Sequence, residues 1–381
     1  MTQTSASRPT FVSGTGRRWT GPDSSVGPAG FHRSFPRYWP TALVEVPALA
    51  GELDVAAVLV KDESRRMGLP AFKVLGASWA VNRAVSSHLD YAEAAATLDE
   101  LRERAAGGRA LTLVTATDGN HGRAIGRLAV LLGLAARIYV PAGLSEAVLD
   151  SIRSEGADVQ VVETGELYDD AVRLAAASVD DQGHELLIQD TSWPGYEDVP
   201  RWIVEGYSTL FAEIDEQLGM LGPGRPGLVA VPTGVGSLLQ AAVEHHRRVD
   251  APSRPAVLAV EPVTAACIAT SLLAGEPTSV DTSFPTVMTG LNCGTPSLIA
   301  WPSIAGGLDA AIGVTDDEAR GAVADLAAIG IPVGPCGAAA LAGARALLAD
   351  PDNRAALGID RTSVVVLVST EGLAANPIEL R

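Results

Sequence analysis

The chain predicts an α/β protein of two lobes, each a parallel or mostly parallel sheet flanked by helices, with a cleft between them. Three observations carry that expectation. Short apolar runs of strand length alternate with longer segments of helical period through most of the 381 residues. The strands outnumber what one sheet comfortably needs, and the length suits two subdomains. Four strands also run straight into polar clusters, the place where open parallel sheets gather ligands.

In chain order, residues 1–40 are rich in Arg, Gly, Pro and Ser without a clear period, and read as an N-terminal arm. Val58-Leu59-Val60 is a short strand, and Val74 to Val85 has helical spacing. A charged helix is expected near Tyr91–Ala105. Strand Leu111–Thr115 then leads into a helix that buries Ile125, Leu128, Ala129 and Leu132. Strand Ala136–Val140, helix Ser145–Ser154, strand Asp158–Val162 and a helix from Tyr168 continue the pattern. Strand Glu185–Gln189 precedes a long helix, Val199–Leu218, and Leu228–Val231 precedes a helix from Ser237. Ala256–Val260 and the strongly apolar Ser363–Val368 are the later strands. Such alternation implies right-handed crossovers and parallel sheets. We expect a large domain from residues 1–88 and 178–381 and a small α/β domain from residues 89–177.

Composition narrows the partners. Formal net charge is -17 and the isoelectric point about 4.7, so nucleic acid and anionic membranes would be repelled and small molecules are expected. No apolar run reaches about 18 residues, and the first forty lack the apolar core of a secretory signal, which reads as soluble and cytoplasmic. Three cysteines, Cys267, Cys293 and Cys336, have neither a secreted-type framework nor zinc-site spacing; one bridge between two of them stays open.

One amine stands out. Of 28 basic residues only Lys61 and Lys73 are lysine, and the other 26 are arginine. Arginine serves for surface charge and anion binding but cannot lose its proton near neutral pH, so it cannot condense with a carbonyl. A lysine can. Lys73 lies in Ala71-Phe72-Lys73-Val74-Leu75-Gly76-Ala77, where desolvation by small and apolar neighbours is expected to lower its pKa. The competing reading is that two lysines are what a biased genome leaves by chance.

The post-strand clusters supply the rest. They are Thr117-Asp118-Gly119-Asn120-His121-Gly122, Asp190-Thr191-Ser192-Trp193, Thr233-Gly234-Val235-Gly236-Ser237 and Ser369-Thr370-Glu371-Gly372. The third joins a strand to a helix, so its amides can cradle a phosphate. It lacks the third glycine of a dinucleotide fingerprint and the lysine of a Walker loop, and a purely structural turn is the competing reading. A phosphate cradle coupled to a Schiff-base lysine points to a phosphorylated aldehyde, pyridoxal 5′-phosphate (PLP).

These motifs, with Gln189-Asp190-Thr191-Ser192-Trp193, occur in the order seen in PLP enzymes of the tryptophan-synthase-β class, fold type II. Within that class the chain most resembles diaminopropionate ammonia-lyases, from about Pro40 to Glu371. Asp118, where the class usually has Ser, and the Gln-Asp-Thr-x-Trp segment are the discriminating pieces. The resemblance implies PLP in the interdomain cleft, held by Lys73 as a Schiff base. It implies Asn120 on the cofactor's 3′ oxygen, Gly234, Val235, Gly236 and Ser237 on its phosphate, and Ser369 facing the pyridine nitrogen. It also implies α,β-elimination from 2,3-diaminopropionate to pyruvate and ammonia, with Asp118 and Asp190 abstracting the α-proton of the D and L isomers, and a homodimer. No metal is implied.

Each carboxylate has a plainer reading, a helix N-cap for Asp118 and an Asx turn for Asp190. A serine/threonine dehydratase, a β-replacement synthase and a catalytically silent binding protein of the same fold stay open. His121 reads as structural, Tyr168 and Trp202 as packing, and Trp193 as packing or a cleft wall. His245-His246 reads as a solvated helix face rather than a metal site, since adjacent helical residues point apart. For Lys61 the matching segment implies a structural or loop-anchoring role, and Cys267 and Cys293 fall where the family has cysteines. One departure is clear: the family's approximate Gly-Glu-Ser-Gly-Ala is here Gly334-Pro335-Cys336-Gly337-Ala338.

Overall fold

The computed structural model describes residues 8–22, 27–108, 110–156, 159–164, 167–180 and 183–378. Its strands are β1 (Thr10–Val12), β2 (Leu43–Glu45), β3 (Ala57–Asp62), β4 (Thr112–Ala116), β5 (Ala135–Val140), β6 (Val159–Glu163), β7 (Glu185–Leu187), β8 (Pro226–Pro232), β9 (Ala256–Pro262), β10 (Ala310–Val314) and β11 (Val364–Ser369). They form a seven-stranded sheet, β1-β10-β9-β8-β11-β3-β2, and a four-stranded sheet, β6-β5-β4-β7. The small sheet is wholly parallel. The large one is parallel except at its edges, where β1 and β2 run antiparallel to β10 and β3.

The central strands are dominated by Val, Leu, Ile and Ala and are buried along nearly all their length, as a parallel sheet covered by helices on both faces requires. Edges are handled differently. The N-terminal arm supplies β1, with Thr10 opposite Ile312, and so closes the exposed edge of β10.

Two boundaries differ from the sequence expectation. The charged helix begins at Leu98, not near Tyr91, because Asn82 holds the preceding segment by both hydrogen bonds to Ala95, each 2.8 Å, and Thr97 then caps the helix. β7 pairs in parallel with β4, Thr112 opposite Glu185, so the small sheet takes a strand from beyond residue 177. Asp158, the expected start of β6, lies outside the described residues.

Lys61 sits in a buried ionic cluster. Its ammonium donates to Glu213 at 2.7 Å, Thr41 O at 2.8 Å and Gln217 at 2.9 Å. Arg66 bridges Glu63 and Glu213, each at 2.7 Å, and Tyr38 donates to Glu213 at 2.8 Å. The arm, β3 and the helix Asp198–Leu221 are thereby tied together beneath the segment that carries Lys73. Charges this deep persist only when paired and hydrogen-bonded.

The expectation for His245-His246 is overturned. His246 is fully buried and His245 nearly so, because the helix Asp198–Leu221 covers the end of their helix, Ser237–Arg247, and places Phe211 against both rings.

Candidate active site

The carboxyl ends of β4, β8 and β11 open on one cavity, lined by Lys73, Asp118, Asn120, His121, Asp190, Glu371 and the loop from Thr233 to Ser237. Lys73 immediately precedes the helix Val74–His88, and the turn ahead of it hangs on the end of β11, with Phe72 N donating to Thr370 O at 3.1 Å. Its ammonium meets Asp190 Oδ2 at 2.6 Å. Burial is the largest single influence and works against the charge, but Asp190, Tyr207 and Asp118 together outweigh it and hold the Lys73 pKa above the ordinary lysine value. The sequence expectation of a lowered pKa is therefore corrected: the desolvation is there, and the acidic neighbours led by Asp190 together exceed it.

Asp190 follows β7, and its carboxylate also takes Gln189 Nε2 at 3.3 Å and Tyr168 OH at 3.4 Å. Burial raises its pKa, yet the ammonium of Lys73 brings it down to about 2. These contacts occupy the carboxylate with side chains rather than with a local turn.

Asp118 does not cap the helix Asn120–Leu132. Thr117 does that work, accepting from Gly119 N at 2.9 Å and Gly122 N at 3.0 Å, which leaves the Asp118 carboxylate facing the cavity. Burial pushes its pKa up to about 6, with Lys73 opposing and Asp190 and Glu371 reinforcing the rise. Asn120 donates to Glu371 Oε2 at 2.6 Å, and Cys336 N donates to the other oxygen at 3.2 Å. Burial also raises the Glu371 pKa. The departure Pro335-Cys336 thus lies against Glu371, with Cys336 in the cavity wall.

The loop Thr233–Gly236 turns β8 into the helix Ser237–Arg247. Gly236 has φ +101°, a left-handed conformation suited to glycine, and a Cβ on Gly234 would lie 2.8 Å from Cys293 Sγ. The start of the helix Ser237–Arg247 thus lines the cavity with no Cβ at Gly234 or Gly236, and backbone amides at a helix N-terminus suit an anion. Ser237 Oγ donates to Asp190 O at 2.7 Å, linking the cradle to the Lys73 pair. Cys267 Sγ lies 3.8 Å from Gly234 O, and all three cysteines are free and buried.

Ser369 is buried, and its hydroxyl has no hydrogen-bond partner among the described residues. Ser369 closes β11 directly before the lining residues Thr370 and Glu371, and a buried hydroxyl without a partner there has the character of one reserved for a ligand atom. An amine, a glycine cradle at a helix N-terminus and an unpartnered hydroxyl fit the carbonyl, phosphate and pyridine nitrogen of PLP.

Two residues exceed their sequence reading. Tyr168 lines the cavity and hydrogen-bonds both Asp190 and Gln189. It lies in the stretch after β6, so extending the post-strand rule to every strand would have nominated it. Glu371 was visible only as part of a cluster. His121 donates from Nε2 to Ile188 O at 2.8 Å, as a structural histidine does, and Trp193 stacks on Tyr196 at 4.5 Å outside the cavity.

The profile of the pyridoxal-phosphate dependent enzyme family matches residues 35–371. A diaminopropionate ammonia-lyase of Escherichia coli K12 is 34% identical over 355 residues, 90% of this chain and 86% of that one. The Salmonella typhimurium diaminopropionate ammonia-lyase is 37% identical over 281 residues, 72% of this chain and 68% of its own length. The E. coli enzyme's crystal structure with D-serine superposes with a TM-score of 0.85 at 30% identity, covering 97% of this chain and 95% of that one. Another was solved with an aminoacrylate-PLP azomethine reaction intermediate and superposes at 0.81. With the cavity's chemistry and these matches in agreement, the chain belongs to the pyridoxal-phosphate dependent enzymes of fold type II, alongside the diaminopropionate ammonia-lyases.

Proposed function

We propose that this protein is a lyase that eliminates ammonia from 2,3-diaminopropionate and releases pyruvate. The observation that carries the reading is the pairing of Lys73 with Asp190 beside a second carboxylate, Asp118, that no side chain among the described residues neutralises by hydrogen bonding. When bound, PLP supplies an electron sink for the pair left by the departing α-proton.

The protein's part is to hold the reactants and move protons. Lys73 is the amine that anchors the cofactor; the Thr233–Ser237 loop takes the phosphate, Asn120 the ring oxygen and Ser369 the ring nitrogen. A hydroxyl at that nitrogen, unlike a carboxylate, does not enforce its protonation, which suits a reaction that relieves the carbanion quickly by expelling a β-substituent. Asp118 and Asp190 bracket the place for the α-carbon and attract the β-ammonium. Asp118, at about 6, accepts the α-proton of the D isomer near neutral pH. Asp190 serves the L isomer: once Lys73 no longer carries an ammonium beside it, burial is left to raise its pKa. The β-nitrogen enters as ammonium and leaves as ammonia with the C–N electron pair. Water hydrolyses the resulting 2-aminoacrylate to pyruvate and a second ammonia.

The two sheets are read as two domains meeting at the cofactor. A homodimer and a cytoplasmic location complete the proposal. Large exposed apolar side chains such as Trp39 and Met220 support the first, and three free cysteines the second. Among the described residues no helix is long and apolar enough to cross a membrane.

Pyruvate release from each diaminopropionate enantiomer, D- and L-serine and L-threonine tests the reading. Preference for diaminopropionate, with Asp118→Asn losing the D isomer and Asp190→Asn the L isomer, is the expected result. Turnover of serine or threonine alone would move the protein to a dehydratase.

A further inference from the structure

We propose that Asp215, His245 and His246 form a site for one transition-metal ion of the zinc type, separate from the PLP cavity, that clamps the helix Ser237–Arg247 to the helix Asp198–Leu221. The ligand atoms of these three side chains all lie within 4.8 Å of one another. His245 Nε2 already meets Asp215 Oδ2 at 2.7 Å. The independent observation is His246: it is fully buried, and both its ring nitrogens lack a hydrogen-bond partner among the described residues. A buried imidazole ordinarily has at least one nitrogen satisfied, and a neutral ring with a free lone pair beside a His-carboxylate pair is a ligand in waiting.

The donor set selects the metal. Two imidazoles and one carboxylate suit Zn²⁺, Co²⁺ or Ni²⁺ rather than Mg²⁺ or Ca²⁺, which prefer oxygen alone. Zinc bonds of about 2.1 Å bring tetrahedral ligands to about 3.4 Å from one another, so the side chains must draw in by roughly an ångström. Asp215 is partly exposed, which gives the ion a way in and leaves room for water as the fourth ligand.

The surroundings set the opposing cost. Arg248 Nη1 lies 2.9 Å from His245 Nδ1 and must yield when that nitrogen carries a proton; it keeps Asp250 at 2.9 Å and the His245 carbonyl at 2.9 Å. Arg247 is paired with Asp309 at 2.6 Å, and Phe211 packs on both rings without competing as a ligand. The helix so clamped begins at the phosphate cradle and ends at this site.

The test uses tagless holoenzyme, dialysed against a chelator and titrated with Zn²⁺ by calorimetry and with Co²⁺ by absorption. The expected result is one equivalent of Zn²⁺, a raised melting temperature, and tetrahedral Co²⁺ ligand-field bands to the red of the cofactor's own absorbance. His246→Ala and Asp215→Asn should each abolish the bands and weaken Zn²⁺ binding by about 100-fold, while retaining bound PLP as evidence of folding. Should His246→Ala fail to fold, His246→Gln takes its place. Arg248→Ala should tighten binding. Absence of a stoichiometric Zn²⁺ site in the parent, or a site that survives in both variants, overturns the proposal.

Discussion

At the scale of single residues, the site is a competition between burial and one ammonium. Asp190 wins its charge from Lys73, whereas Asp118 is pushed up to about 6 by burial that the same ammonium only partly offsets. The sign for stability follows. A carboxyl raised above its ordinary 3.8 favours folding while protonated, and that contribution is lost as pH rises through about 6. Asp118→Asn should therefore melt higher than the parent above pH 6, by a few degrees, with the gap closing below about pH 4. Calorimetric scans across that range check it, and an unchanged gap would mean that Asp118 is not the group buried as a charge. Activity runs the other way: the D-isomer rate in the parent should rise with an apparent pKa near 6, and the variant should lose that rate rather than shift it. Lys73→Ala should remove the visible absorbance of protein-bound cofactor while leaving the fold, read by circular dichroism, in place. The candidacy of Lys73 was legible because the chain uses lysine only twice. Its pKa was not, because Asp190 is 117 residues away in sequence and meets it only in the fold.

At the scale of elements, most strands and helices were legible from apolar runs and periodicity, and the differences have local causes. Asn82 delays the charged helix, and Thr117 takes the cap that Asp118 was weighed for; both act through side-chain to backbone bonds that a hydropathy pattern does not register. The division between lobes was legible as a need for two sheets, but β7 joins β4 by parallel pairing across 73 residues, as from Leu113 to Leu186, and nothing local announces that partner. Two elements make testable claims. Gly236 holds φ +101°, and a Cβ there would lie 2.9 Å from Ile304 Cδ1, so Gly236→Ala should cost about 1–2 kcal/mol and weaken PLP binding. Denaturant unfolding and cofactor titration measure the two effects separately. Glu213 holds both Lys61 and Arg66 in the interior, and Glu213→Ala leaves the Lys61 ammonium without its carboxylate and Arg66 with Glu63 alone, at a cost of about 3–5 kcal/mol in urea unfolding. A loss below about 1 kcal/mol would show that water reaches the cluster.

At the scale of the whole molecule, the acidic composition acquires a use once the substrate is considered. Formal net charge is -17, and the cavity itself carries three carboxylates, Asp118, Asp190 and Glu371, against the single ammonium of Lys73. A substrate with two amines and one carboxylate is a net cation while both amines are protonated; serine, with one of each, is neutral. The summed field of the protein then draws in the first and is indifferent to the second. Added salt screens that field over a Debye length of about 10 Å at 0.1 M. Below the pKa of the β-amine, kcat/KM for diaminopropionate should therefore fall several-fold as ionic strength rises from about 0.01 to 0.3 M, with kcat little changed. Any turnover of serine, followed alongside, should stay nearly flat. The carboxylates next to the reacting atoms act at contact distance and are screened little, so a salt effect confined to kcat/KM separates long-range attraction from the chemistry at Asp118 and Asp190. Equal salt dependence for the two substrates would show that the acidic surface serves solubility alone.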